Sequence, residues 1–186
     1  MKLYIKNMVC NRCITAVERV FKDLNLEITA VALGEVETAE DLNSTELRKL
    51  DESLRESGFQ ILEDSAQQLI EKVKNEIILL VDGLDIPEDF ILSKWISEKL
   101  NRDYSAVSKL FSQNENVTLE QYFILQKIEK VKELLLYDEF SLTEISGKLG
   151  YKSVQHLSSQ FKNVTGFTPS GFKKLKVKNR IPLDEI

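Results

Sequence analysis

Two cysteines, Cys10 and Cys13, are the residues of this chain best suited to chemistry. They are the only cysteines among 186 residues and stand three apart in the stretch NMVCNRC. Thiolate sulfur binds soft metal ions and is also a nucleophile. We expect helix-start amides and the neighbouring Arg12 to favour the thiolate forms. The pair could therefore bind a soft cation such as Cu(I), act as a redox dithiol, or be merely structural.

The overall composition is that of an ordinary globular chain. Hydrophobic residues make up 42% and charged residues 30% of it. No apolar run approaches the roughly 18 residues of a membrane-crossing helix, and the N-terminus lacks the apolar region of a secretory signal. We therefore predict a cytoplasmic protein without a membrane partner. One histidine, no Ser-His-Asp set and no glycine-rich phosphate loop predict that it is not an enzyme.

Charge is distributed unevenly along the chain. Residues 1–64 carry 8 basic and 13 acidic side chains, whereas residues 141–180 carry eight basic side chains against Glu144 alone. The basic residues are Lys148, Lys152, Lys162, Lys173, Lys174, Lys176, Lys178 and Arg180. A basic region on an acidic chain indicates a polyanionic partner at that end.

Residues 1–64 alternate between strand and helix patterns. Strand-like runs occur at 3–5, 28–33, 35–38 and 59–62. A helical apolar spacing follows Cys13, and a second helix, capped by Asn43 or Ser44, precedes Gly58. The resulting order, β-α-β-β-α-β, predicts an α+β domain of the ferredoxin-like plan.

Residues 65–176 are helical throughout and predict an all-α domain, followed by a tail at 177–186. Two pairs of short helices flank a long helix at 118–136, and the pairs resemble each other loosely, which indicates a duplicated helix-turn-helix unit. Residues able to cap a helix stand before four of these helices: Asp103, Thr118, Ser141 and Ser153.

The stretch SLTEISGKLGYKSVQHLSSQFKNVTGFTPSGFKK, residues 141–174, resembles the second helix-turn-helix of the AraC family of bacterial transcription regulators. The likeness extends to 91–113 as the first helix-turn-helix and to 118–136 as the linker helix that joins them. It implies a regulator whose partner is double-stranded DNA and whose DNA-binding fold needs no cofactor. Family members often act as dimers, so a homodimer is considered, although no coiled-coil heptad is evident.

The resemblance also implies which residues touch DNA. Base contacts would come from the second helix of each unit, from Ser105, Ser108 and Lys109 and from Val154, Gln155 and Ser159. Lys152 and Lys162 suit phosphates, which set affinity without specifying sequence. Neither helix contains arginine, so we expect modest DNA affinity with the second unit dominating. A surface position is expected for His156, the single histidine.

The loop Met8-Val9-Cys10-Asn11-Arg12-Cys13 resembles the metal loop of heavy-metal-associated domains in copper chaperones and metal-transporting ATPases. This resemblance covers about 1–63. It implies that Cys10 and Cys13 bind metal, that Met8 packs beneath the loop, and that Phe59 lies near it. Asn7 stands where the family usually has glycine.

Together the two halves suggest a transcription regulator that responds to a soft metal ion or to thiol redox state through Cys10 and Cys13. The alternative is a copper-binding carrier or buffer whose helical half binds a protein partner instead of DNA. The local basic region favours the regulator, because it belongs to the half that resembles a DNA reader.

Overall fold

The computed structural model describes residues 1–175 and 180–186 and divides the chain into two compact units, Met1–Asn75 and Glu76–Ile186. Lys176 and Lys178, two members of the predicted basic region, lie outside the described residues. The predicted boundary is at residue 65. The compact unit extends further because Gln68 Nε2 donates to the Leu62 carbonyl (2.8 Å) and so ties the first turns of the following helix to unit 1.

Unit 1 contains a small antiparallel sheet with the strand order β2-β3-β1-β4. Its elements are, in chain order, β1 (Lys2–Lys6), α1 (Asn11–Asp23), β2 (Ile28–Ala32), β3 (Glu35–Thr38), α2 (Ser44–Glu56), β4 (Gln60–Ile61) and the start of α3 (Ser65–Asp82). The unit boundary therefore falls within α3.

The core of unit 1 lies between this sheet and the two helices α1 and α2. Alternating strand residues supply one side, with Leu3 and Val36 paired across β1 and β3 and both buried. Val17 and Phe21 of α1 are four positions apart and fully buried, as amphipathic spacing requires. Asn43 caps α2 through a reciprocal capping box with Glu46.

In the described part of unit 2, the regular structure is helical apart from one isolated bridge between Ile86 and Leu149. After the end of α3 come α4 (Leu92–Leu100), α5 (Tyr104–Asn114), α6 (Leu119–Tyr137), α7 (Leu142–Lys148), α8 (Val154–Thr165), α9 (Pro169–Lys173) and a short 3-10 turn at Leu183–Glu185. All four predicted N-caps are confirmed: the side chains of Asp103, Thr118, Ser141 and Ser153 accept backbone N–H bonds.

Helix α6 is the centre of unit 2 and contacts α5, α7, α8 and α9. It buries charged as well as apolar side chains, because helices surround it. Glu129 and Lys132, three positions apart, form an ion pair with each other inside the unit. No helix in the described part of the chain is both long and apolar enough to cross a membrane.

Candidate functional site

Unit 2 contains the same helix arrangement twice, and equivalent residues stand 50 positions apart. Each copy has a cap, two buried anchors on the second helix, a second cap and a buried aromatic on the next helix. The first copy uses Asp103, Val107, Phe111, Thr118 and Tyr122, and the second uses Ser153, Leu157, Phe161, Thr168 and Phe172. The sequence indicated this duplication only loosely, and the structure confirms it.

An aromatic pair fixes the second helix of each copy onto the helix that follows. The ring centroids of Phe111 and Tyr122 are 5.4 Å apart, and those of Phe161 and Phe172 are 5.6 Å apart. Tilted contacts of this kind are favourable beyond the burial of the rings. One face of α5 and one face of α8 are thereby held inward, which leaves the opposite faces to solvent.

The predicted base-contacting residues lie on these outward faces. Ser105 and Lys109 of α5 are exposed, as are Gln155 and Ser159 of α8, and each pair is four positions apart on one helical face. Ser108 is half-buried and lies close to Tyr104, whose hydroxyl donates to Glu120. Ser108 is thus less accessible than predicted. Val154, at the start of α8, is half-buried.

The turn before each outward helix uses a left-handed backbone. Asn101 ends α4 with φ +49°, a left-handed conformation that asparagine adopts more readily than most residues. Gly150 has φ +66° in the turn between α7 and α8. The segment after α3 packs on this second turn, where the Ile86 amide donates to the Lys148 carbonyl (3.0 Å).

Lys127, a residue that sequence reasoning missed, anchors the same turn from α6. Its ammonium donates to the Leu149 carbonyl (3.2 Å) and lies 3.9 Å from the centroid of the Tyr151 ring. The Tyr151 hydroxyl in turn donates to Gln160 Oε1 of α8 (2.7 Å). The sequence did contain a signal for the burial of Lys127. It stands four positions from Phe123 and four from Val131, on the same face of α6, and both of these residues are buried.

Stability should depend on pH through Lys127. Burial lowers its pKa to about 8, below the ordinary value of 10.5, so between these values the unfolded chain binds more protons than the folded one. The Lys127 contribution to the unfolding free energy should therefore rise with pH from 8 to 10.5, by roughly 1–2 kcal/mol, because the Leu149 carbonyl and the Tyr151 ring offset part of the burial cost. Urea unfolding of the parent against Lys127→Met at several pH values measures this, and equal pH slopes for the two proteins would contradict it.

The basic region is smaller on the folded surface than in the sequence. Lys173 pairs with Asp138, and Arg180 pairs with Glu133 on α6 (3.0 Å). Lys152 and Lys162, the predicted phosphate contacts, are exposed and form no ion pair within the described part of the chain. Their phosphate role stays a prediction. His156 is exposed, as expected, and lies edge-on to Tyr151 with ring centroids 5.4 Å apart.

The thiol pair lies at the junction of β1 and α1 in unit 1. Cys10 is the N-cap residue of α1 and Cys13 stands in its first turn, and their sulfurs are 3.6 Å apart and not bonded as a disulfide. Asn7 enters the loop with φ +70°, the backbone that the usual glycine would supply, and its side chain donates to the Gly58 carbonyl (3.0 Å). Met8 is fully buried in the core of unit 1, against which Cys13 also packs.

The expectation that both thiols are activated was wrong for Cys13. Burial raises the pKa of the Cys13 thiol, and hydrogen bonds from the backbone of Val9 and Cys10 only partly oppose this. Cys13 packs against the core of unit 1, while Arg12 points to solvent. The loss of hydration outweighs the helix-start amides here, because a thiolate in apolar surroundings has few partners.

The pair suits one soft ion better than a structural zinc ion. Metal–sulfur bonds of about 2.3 Å allow one ion to bridge sulfurs up to roughly 4.6 Å apart, so the observed 3.6 Å fits. Structural zinc needs four ligands, and the described residues form no cluster of three or more His, Cys, Asp or Glu side chains able to hold a metal. Cys10 and Cys13 would thus be the whole protein ligand set.

Known proteins resemble the C-terminal part of this chain. Residues 96–175 match the family model described as a helix-turn-helix domain. The Msm operon regulatory protein of Streptococcus mutans is 32% identical over 79 residues, which are 42% of this chain and 28% of that protein. The xylose operon regulatory protein of Haemophilus influenzae is 31% identical over 78 residues, 42% of this chain and 20% of that protein.

A solved structure has a fold similar to that of part of this chain. The C-terminal domain of AraT, a response regulator from Geobacillus stearothermophilus, has a TM-score of 0.52 and 21% identity, and the match covers 62% of this chain and 92% of that domain. The matched part of this chain spans less than a third of each curated relative. Residues 96–175 are therefore a helix-turn-helix domain.

Proposed function

We propose that this chain is an AraC-type, sequence-specific DNA-binding transcription regulator. The observation that carries the proposal is the duplicated arrangement of α5 and α8, each anchored by buried residues and each presenting a polar face to solvent. Polar helices that follow a tight turn fit a DNA major groove. α6 would be the linker that sets the spacing between them. The operon regulators with which the helix-turn-helix domain shares about a third of its residues support the same role.

Contacts to DNA would be of two kinds: some would recognise bases, and others would bind phosphates and so position the protein on the DNA. Gln155 could bond an adenine edge through two hydrogen bonds, Val154 could touch a thymine methyl, and Lys109 could reach guanine. Lys152 and Lys162 would neutralise phosphates without reading sequence. Arg180 and Lys173 are engaged within unit 2, which takes two of the eight basic side chains of residues 141–180 away from DNA. Neither α5 nor α8 contains an arginine, so the affinity should be modest.

Two substitutions separate these roles once the preferred DNA has been selected from a random pool with purified protein. Lys162→Ala should weaken binding to all sequences and lower the salt slope by about 1, because one phosphate contact is lost. Gln155→Ala should cost roughly 1–3 kcal/mol at a single base position and blur the preference there. Binding is measured by fluorescence anisotropy at several salt concentrations.

Controls come from exposed residues of unit 1, which the proposal does not place on DNA. Lys49→Ala removes an equivalent charge, and Gln67→Ala removes an equivalent amide. Both should bind as the parent does. If Lys162→Ala and Gln155→Ala also match the parent, the assigned face of α8 is incorrect, and a chain that selects no DNA sequence at all refutes the regulator.

We further infer that unit 1 is a ferredoxin-like sensor domain in which Cys10 and Cys13 bind Cu(I) or a similar soft ion, or cycle between dithiol and disulfide. The alternating element order, the strand order β2-β3-β1-β4 and the buried Met8 support this assignment. Two thiols are the ligands that Cu(I) prefers. Ligand binding at this loop would then alter the affinity of unit 2 for DNA.

The sensor proposal is tested by measuring operator affinity with and without Cu(I), for the parent and for Cys10→Ser/Cys13→Ser. A change in the parent that the double variant lacks supports it. Equal affinities in all four conditions contradict metal sensing, and repeating the measurement with a dithiol oxidant in place of Cu(I) tests the redox form. The alternative carrier function predicts tight Cu(I) binding by the parent and no salt-sensitive DNA binding.

A further inference from the structure

The two edges of the unit 1 sheet differ in how they are protected. β4 forms one edge and is only two residues long. The amide of Ile61 in this strand donates to the Asp51 carboxylate (3.0 Å), which Arg55 also contacts. Short strands and side chains that cover the edge are devices that prevent pairing with another chain. This edge is therefore closed.

The opposite edge, β2, lacks most of these devices. It is five residues long, and Thr29, Ala30 and Ala32 are exposed. Residues 28–34, ITAVALG, contain neither a charged residue nor a proline, in a chain with 30% charged residues. A register irregularity between Ile28 and Ala30 affects only the start of the strand, and the pairing with β3 is regular from Ala30 to Ala32.

We propose that the β2 edge pairs with the β2 edge of a second copy of this chain, antiparallel and about a twofold axis at Val31. This register sets Ala30 of one copy opposite Ala32 of the other. Both are small and uncharged, so self-pairing brings no like charges together and no bulky side chains into collision. A twofold axis requires the same patch on both copies, and a uniformly neutral strand satisfies that requirement. The inference does not depend on the proposed function.

The size of the edge sets the strength of the association. One pair of five-residue strands buries less than the roughly 1,200 Å² of a stable interface, so the dimer should be weak, with a dissociation constant on the order of 100 µM. Main-chain hydrogen bonds supply most of the attraction in such strand additions. Two copies held at adjacent sites on one DNA molecule would pair more completely, because their effective concentration is higher.

Sedimentation equilibrium of the full chain tests the proposal. The protein concentration is varied from 5 to about 500 µM, which brackets the expected dissociation constant, and reductant keeps Cys10 and Cys13 as thiols. The parent should shift from monomer towards dimer over this range. Ala30→Lys/Ala32→Lys should remain a monomer, because the introduced ammonium groups would face each other across the twofold axis. Thr15→Lys, an exposed change on α1, is the matched control and should associate as the parent does.

A second measurement needs no substitution and therefore does not depend on the folding of a variant. The backbone amides of β2 that do not bond β3, Val31 among them, should exchange with solvent more slowly at high protein concentration in the parent, while amides of β4 should not change. The proposal is overturned if the parent is monomeric over the whole range, if the double lysine variant associates as the parent does, or if the exchange of these amides is independent of concentration.

Discussion

Replacing Gly150 by alanine should unfold the helical unit more readily than most single substitutions would. The residue has φ +66°, which costs an L-residue roughly 1–2 kcal/mol. A Cβ atom there would also lie 2.7 Å from Ile86 Cγ2 and 2.8 Å from the Pro87 carbonyl oxygen. Because backbone must move to relieve this overlap, we expect a total cost of about 3 kcal/mol.

Gly166 provides a matched control in the same repeat. It has φ +79° at the end of α8, and a Cβ atom there would meet nothing within 4 Å. Gly166→Ala should therefore cost only the backbone strain, about 1 kcal/mol. Equal losses in the two variants would show that the contact with Ile86 and Pro87 does not constrain the α7–α8 turn.

Fluorescence makes this comparison specific for one unit. Trp95 is the only tryptophan and lies in α4 of unit 2, where its ring is 5.9 Å from that of Phe90. Urea unfolding followed by its emission therefore reports unit 2 alone. Since the turn positions α8, Gly150→Ala should also reduce DNA affinity under conditions in which the variant remains folded, and Gly166→Ala should reduce it less.

Lys132→Met should be the second strongly destabilising change. Lys132 forms an ion pair with Glu129, whose side chain is only 3% exposed. Breaking a buried pair by removing one partner costs about 3–5 kcal/mol, since it leaves an uncompensated charge. Glu129 retains the Ile181 amide (3.1 Å) and the more distant Arg180 guanidinium (3.9 Å), so we expect the lower end of that range, about 3 kcal/mol.

A double variant distinguishes the loss of charge balance from simple loss of packing. Lys132→Met/Glu129→Gln removes both charges and should be more stable than Lys132→Met alone, by at least 1 kcal/mol. A surface control is Lys94→Met, which breaks an exposed pair with Glu98 and should change stability by less than about 0.5 kcal/mol. Glu129→Gln alone completes the comparison. If the loss of unfolding free energy in the double variant equals the sum of the losses in Lys132→Met and Glu129→Gln, the two side chains are not coupled.

The features that the sequence predicted correctly depend on neighbours a few positions away. Asp103, Thr118, Ser141 and Ser153 were recognisable as caps because a cap bonds an amide two or three residues ahead. The second helices of the repeat were likewise evident from the apolar spacing that anchors them.

Errors arose where a side chain's environment comes from distant parts of the chain. Lys127, Glu129 and Lys132 would ordinarily be assigned to the solvent face of α6, yet helices from other parts of unit 2 surround them. Arg180 was counted among the cations available to DNA, but it bonds Glu133, 47 positions away in sequence. Cys13 was expected to be activated by its helix position, and burial against the core reverses that.

By itself, then, the sequence determined the order of the helices and strands, the caps and the thiol pair at a strand–helix junction, and it indicated the duplicated repeat. These features follow from local hydrogen bonding and from apolar periodicity, both of which a linear sequence records. Only the tertiary structure decided which charges are buried on α6, which cations remain on the surface and which edge of the sheet is left open. Hydration and burial depend on contacts between residues far apart in the chain, and those contacts exist only once it has folded.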